Sequence, residues 1–166
     1  MECLIRPERA DDSAAIYDVT KRAFAPMPFA AGNEQDLIAA LRIKGALALS
    51  LVAEKDGCVV GQISFSPALT ADGSPGWFAL GPVSVEPALK HQGIGSQLIN
   101  AGIAWLREQG AAGCVLVGNP AYYSRFGFKP FPALTPEGEP PEYFQILPLL
   151  VEEPNVLVGF HPLFHA

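Results

Sequence analysis

The chain has 166 residues, 49% of them hydrophobic and 17% charged, with a net charge of −6 at neutral pH. That length suits one domain with its own core, and the acidic balance argues against nucleic acid as a general partner, because phosphate backbones need a basic face. No run reaches the ~18 apolar residues of a membrane span, and Met1–Pro7 lacks a signal peptide's apolar run. Cys3, Cys58 and Cys114 lack metal-like spacing and fall in apolar, strand-like contexts, so they read as buried free thiols of a reducing compartment. The expectation is a single cytoplasmic domain, 1–166, without a membrane partner.

In chain order, Cys3–Arg6 reads as a short strand stopped by Pro7. Asp11, Asp12 or Ser13 can cap a helix whose apolar positions Ala15, Ile16, Val19, Ala23 and Phe24 recur at helical spacing, and Pro26–Pro28 ends it. A second helix follows from about Asn33, its expected cap, to Ile43, closed by Gly45. Leu47–Ala53 and Val59–Ser66 read as strands joined by a hairpin at Lys55–Asp56–Gly57, since Asp-Gly tolerates positive φ. After the loop Ala71–Gly76, Trp77–Val85 is the third strand of a meander. Gln92–Gln109 is an amphipathic helix with Ile94, Leu98, Ile99, Gly102, Ile103 and Leu106 facing inward. Cys114–Val117 is a continuous apolar run of the kind buried on both faces, so strand, helix and strand here imply a parallel pair. A short helix at Ala121–Arg125 and a strand at Gly127–Phe131 follow, then strands at Tyr143–Val151 and Asn155–Phe160, broken by Pro148 and Pro154. From Pro130 onward the chain carries half of its 16 prolines and five glutamates but no Lys or Arg. The economical fold is α/β (α+β): one mixed sheet with helices on both faces.

The stretch around which these elements are arranged is Leu80–Pro87 followed by Lys90-His91-Gln92-Gly93-Ile94-Gly95-Ser96. Small residues let backbone approach a ligand, and the free N–H groups of a helix start bind anions. Phosphate or pyrophosphate is the natural ligand of such a corner, with Lys90, His91 and Arg125 as a local basic spot. Neither the P-loop spacing nor the third glycine of the dinucleotide fingerprint is present.

Three motifs in order resemble the GNAT superfamily of N-acetyltransferases, and within it the YhbS-like branch. Asn33–Arg42 is similar to that branch's second helix. Leu80–Pro87 with Gln92-Gly93-Ile94-Gly95 resembles the acetyl-CoA motif, and Tyr122–Phe128 resembles the late tyrosine and Gly-Phe signature. The resemblance covers nearly the whole chain and implies a mostly antiparallel sheet in which a central parallel pair splays apart. It implies acetyl-CoA as co-substrate and a small-molecule or protein amine as acceptor, attacked in one ternary complex.

Matching positions imply the site residues. Val83, Ser84 and Val85 would lie along the pantetheine arm, with main-chain groups of Val83 and Val85 pairing to it and the Val83 N–H acting as an oxyanion donor. Lys90, His91, Gln92, Gly93, Ile94, Gly95 and Ser96 would wrap the pyrophosphate. Lys90 stands where the superfamily usually has Arg or Gln, which keeps the charge but loses the planar fork. Asn119 either contacts the cofactor arm or caps the short helix before Pro120; its gap to Tyr123 is about one helical turn shorter than the commoner pattern. Tyr123 occupies the general-acid position. A phenol with a pKa of about 10 stays protonated at neutral pH and can supply a proton to a thiolate whose own pKa is about 8.5; Tyr122 is the alternate. A base for the amine is harder to name among Glu34, Glu86, His161 and His165, and water can carry that proton. A catalytically silent acyl-CoA-binding or protein-interaction module is the alternative reading. The acidic tail favours a cationic acceptor if it borders the acceptor mouth, and its apolar, proline-broken character allows a homodimer.

Overall fold

The computed structural model describes the chain apart from residues 1–2, 29, 151–152 and 166. In chain order the elements are β1 (Leu4–Pro7), α1 (Ser13–Phe24), α2 (Glu34–Ile43), β2 (Leu49–Lys55), β3 (Cys58–Pro67), β4 (Leu69–Thr70), β5 (Trp77–Val85), α3 (Ile94–Glu108), β6 (Gly113–Val117), α4 (Pro120–Tyr123), β7 (Lys129–Pro130), β8 (Phe144–Pro148) and β9 (Val158–Gly159). Seven strands form a mixed sheet in the order β1-β2-β3-β5-β6-β8-β7, while β4 and β9 pair as a separate ribbon. Only β5 and β6 run parallel among the ladders described. Two compact units share the chain: Met1–Phe65 with Gly81–Ile103, and Ser66–Leu80 with Ala104–Ala166.

In the first unit the predicted hairpin is present. Asp56 and Gly57 have φ of 53° and 78° and join Lys55 directly to its partner Cys58, which is the two-residue turn whose twist suits paired strands. Ile16 of α1 and Ile38 of α2 pack with Val52 of β2. Gly45 closes α2 as expected: its N–H donates to Arg42 O and that of Ala46 to Leu41 O, satisfying two end carbonyls. Asp12 and Asn33 occupy the expected N-cap positions of α1 and α2, but neither side chain makes the cap bond. Asp12 makes no forward cap; its carboxylate is buried against the Arg6 guanidinium at 2.7 Å, which holds its pKa below the usual carboxylate range. At α2 the Asn33 side chain is idle as a cap. The Glu34 carboxylate instead turns back to accept from the Ala31 and Gly32 amides at 2.9 and 3.1 Å.

All six positions expected to face inward on α3 are buried. Gly102 is among them for a steric reason, because a Cβ there would overlap the fully buried Phe65 ring. Gly102→Ala should destabilise the fold by about 2 kcal/mol through overpacking, lowering Tm by about 4–8 °C for a chain of this size; calorimetry would check it.

In the second unit Trp77, Ala79, Val115, Phe144, Ile146 and Val158 form the core, with Phe131, Leu134, Phe160 and Phe164 packed against them. The tail strands are shorter than predicted: Gly127–Phe131 contributes only Lys129–Pro130, and Asn155–Phe160 only Val158–Gly159. Tyr143–Val151 contributes Phe144–Pro148, with Val151 outside the described residues. Prolines interrupt pairing, and three-residue helical turns such as Pro132–Leu134 take up the chain between. The thiols also differ from expectation. Cys114 is buried, Cys3 is half-buried, and Cys58 is exposed because it opens β3 at the hairpin tip.

Candidate active site

The parallel ladder between β5 and β6 holds three pairs, Trp77↔Gly113, Phe78↔Cys114 and Ala79↔Val115, and runs no further, although β5 continues to Val85. Within β5 the strand changes phase. Trp77 O accepts from the Ala68 N–H of β3's end, and the Glu86 N–H donates to Val60 O of β3. Between those bonds lie nine residue steps on β5 against eight on β3, so β5 carries one extra residue, a β-bulge. Burial records the same slip: Trp77 and Ala79 are buried before it, and Leu80, Pro82 and Ser84 after it. Gly81, with φ of 136°, lies at the change. Since main-chain groups alternate edges along a strand, counting back from Glu86 puts Ser84 on the β3-facing edge. Val83 and Val85 therefore turn their N–H and C=O to the opposite edge.

Beyond a helical turn at Pro87–Leu89 the chain bends through His91, φ 64°, and Gly93, φ 85°. Lys90, His91, Gln92 and Gly93 are all exposed. A Cβ on Gly93 would meet nothing, so the glycine answers to backbone conformation rather than crowding. The first bond into α3 runs from the Gln97 N–H to Gly93 O. The Ile94 and Gly95 amides thus precede the helical ladder, where the dipole favours an anion. Ile94 itself is a core side chain and Ser96 is half-buried.

Ser84 sits differently from its neighbours. Its hydroxyl is buried, accepts from Gln62 Nε2 at 2.8 Å and donates to Thr20 Oγ1 of α1 at 3.2 Å. Any part it plays toward a ligand passes through those partners. Glu86 is held by Arg22, whose Nη2 lies 2.7 Å from Oε2 and whose Nε donates at 3.1 Å to Oε1.

In the second unit β6 ends at Val117, and after Gly118 the Asn119 Oδ1 accepts the Ala121 N–H at 3.0 Å, so this asparagine does cap α4. Tyr123 follows in the last turn of α4. Its ring makes edge contacts with Tyr122 and Phe128 at centroid distances of 5.0 and 6.1 Å and a tilted contact with Phe126 at 6.3 Å. The same ring lies against Gly118, where a Cβ would come within 2.5 Å of Cε2. Burial, and secondarily the Tyr122 phenol, push the Tyr123 pKa up to about 12. Arg125 is less available than the sequence suggests, since its guanidinium stacks 4.5 Å from the Tyr122 ring centre and its Nε donates to Tyr122 O.

The four candidate bases all have partners. Glu34 and Glu86 are engaged as described, His161 Nδ1 accepts the Leu163 N–H at 3.1 Å, and His165 Nε2 lies 3.4 Å from Glu139. Among the described residues no group of His, Cys, Asp and Glu could hold a metal ion, and no helix is long and apolar enough to cross a membrane. Sequence reasoning missed Thr20, Gln62 and Gly118. For Gln62 a signal existed: Gln62, Ser64 and Ser66 alternate along an otherwise apolar strand, and all three are buried.

A strand edge released by a bulge leads here into an amide-lined helix start, a shape that suits an extended ligand ending in phosphate. Residues 14–128 match the acetyltransferase (GNAT) family, and the chain belongs to that family of N-acetyltransferases. It is 37% identical over 127 residues to the N-acetyltransferase YhbS of Escherichia coli K12, covering 76% of this chain and 73% of that one. The crystal structure of Escherichia coli YhbS in complex with CoA superposes with a TM-score of 0.88 at 32% identity, covering 100% of this chain and 93% of that one. A GNAT family acetyltransferase from Brucella melitensis, crystallised with acetyl-CoA, is 46% identical with a TM-score of 0.86, covering 98% and 97%.

Proposed function

We propose that this chain moves the acetyl group of acetyl-CoA to a primary amine by direct attack in a ternary complex. The observation that carries the reading is the bulge in β5, which turns the Val83 and Val85 main chain away from β3 beyond the end of the β6 ladder. Those groups pair with the pantetheine arm, and the Val83 N–H polarises the thioester carbonyl. The Ile94 and Gly95 amides, with the turn from Lys90 through Ser96, take the diphosphate. Acetyl-CoA supplies the activated acyl group, and complexes of the Brucella and Escherichia coli relatives with acetyl-CoA and CoA support the assignment. Tyr123, neutral across the physiological range, gives its proton to the departing thiolate and regains one from the acylated amine through water. Asn119 keeps its carbonyl on the α4 cap and offers its amide nitrogen to the cofactor arm.

Isothermal titration with acetyl-CoA, followed by thiol release with a panel of amines, tests this. Saturable binding and amine-dependent thiol are expected. No binding at millimolar acetyl-CoA defeats the reading, and binding without thiol release leaves a silent acyl-CoA-binding module in its place. Lys90→Ala should weaken acetyl-CoA about 3- to 10-fold, and less at high salt, because an exposed lysine acts on phosphate as a screened point charge. The acidic tail residues Glu137, Glu139, Glu142 and Glu153 support a cationic acceptor. Preference for neutral or anionic amines in the same panel refutes that part.

A further inference from the structure

We infer that Gln62 is a positioning residue for the oxyanion donor, an inference that rests on the role proposed for Val83. Gln62 is fully buried on β3. Its amide nitrogen spends both hydrogens on β5, donating to Pro82 O at 3.1 Å and to Ser84 Oγ at 2.8 Å. These acceptors flank Val83. Pro82 C=O and Val83 N–H belong to one planar trans peptide, so they point in opposite directions. A hydrogen bond that fixes the carbonyl toward β3 therefore fixes the N–H toward the released edge, and polarises it in the same sense.

The acceptors on β5 fix the orientation of the Gln62 amide: Pro82 O can only accept, which assigns the nitrogen to the β5 side, and the opposite Oε1 takes the Ser64 hydroxyl at 3.0 Å. Ser84 passes the restraint on by donating to Thr20 Oγ1 at 3.2 Å. The four side chains, Thr20, Gln62, Ser64 and Ser84, are each at most 2% exposed, so water does not compete for these bonds. A β-bulge disrupts the ladder locally and leaves its extra residue unpaired; here the Gln62 side chain supplies the bond to Pro82 O. An apolar residue at position 62 would pack as well and hold nothing.

The experiment compares Gln62→Met, which keeps the length and removes both donated bonds, with Ser64→Ala, which leaves both in place. Acetyl-CoA kinetics with the best amine of the panel should show kcat down about 10- to 50-fold in Gln62→Met with acetyl-CoA KM within about threefold, because an oxyanion donor acts in the transition state. Ser64→Ala should keep kcat within about threefold. Hydrogen exchange over Val83–Glu86 in the ligand-free protein should quicken at least about tenfold in Gln62→Met and not in Ser64→Ala. Equal losses of kcat in the two variants, or wild-type exchange in Gln62→Met, overturn the inference. If Gln62→Met does not fold, Gln62→Glu replaces it, since a protonated carboxyl donates to only one of the two acceptors; an intermediate fall in kcat supports the role and a wild-type kcat overturns it. If the wild-type protein releases no thiol, the functional reading fails by itself, and the exchange comparison alone decides whether Gln62 holds the strand.

Discussion

Tyr123→Phe is expected to lower kcat about 100- to 1,000-fold with acetyl-CoA KM changed less than about threefold, the signature of a general acid lost from the transition state alone. The substitution removes one oxygen from a ring that Tyr122, Phe126, Phe128 and Gly118 already locate. The hydroxyl makes no hydrogen bond among the described residues, so its removal leaves no buried partner unpaired, and stability should stay within about 0.5 kcal/mol. Steady-state kinetics and a thermal melt together check this. An unchanged kcat would take Tyr123 out of the reaction.

The pH dependence carries a sign of its own. Burial raises the Tyr123 pKa to about 12, so the proton that the proposed step asks of it is present wherever the enzyme is assayed. The wild-type rate should rise as the amine acceptor deprotonates and show no falling limb from Tyr123 below about pH 10. A raised pKa means that folding favours the protonated phenol. That contribution is complete below the unfolded-state value of about 10 and is lost as pH climbs toward 12.

The order of elements could be read from the sequence because each carries a local signal. Asp56-Gly57 can turn only one way, Gly45 and Gly110 end helices by backbone conformation, and α3 shows its buried face at helical spacing. The turn ahead of α3 was equally visible, since Gly93 supplies the positive φ that the chain needs there before the helix starts. What escaped is non-local. Nothing in Leu80-Gly81-Pro82 announces an extra residue relative to β3, because a bulge is a property of two strands counted together. The Asp12 cap failed for a similar reason: Arg6, six residues earlier, outcompetes the helix amides for its carboxylate. The tail strands were overextended because apolar runs such as Asn155–Phe160 resemble strands whether they pair or fold back onto a core as loops.

Gly118→Ala should cost about 10- to 100-fold in kcat while the fold survives. The added methyl would sit 2.5 Å from Tyr123 Cε2 and 3.0 Å from Cδ2, with Leu116 next at 3.5 Å. Something must move, and the backbone is held on both sides: the Gly118 N–H donates to Tyr143 O at 3.0 Å, and Gly118 O accepts from Gln145 Nε2 at 2.9 Å. The phenol ring, held by ring contacts to Tyr122, Phe126 and Phe128, is the softer partner. A displacement of about 1 Å in a reacting group is worth up to a hundredfold in rate. The decisive measurement is the double mutant. If Gly118 acts by locating the Tyr123 hydroxyl, Gly118→Ala should lower kcat in the wild-type background and do little more in Tyr123→Phe, where no hydroxyl remains to misplace. Losses that multiply would mean that Gly118 serves the reaction by some path other than the tyrosine, and the ring's place against the glycine would then be packing alone.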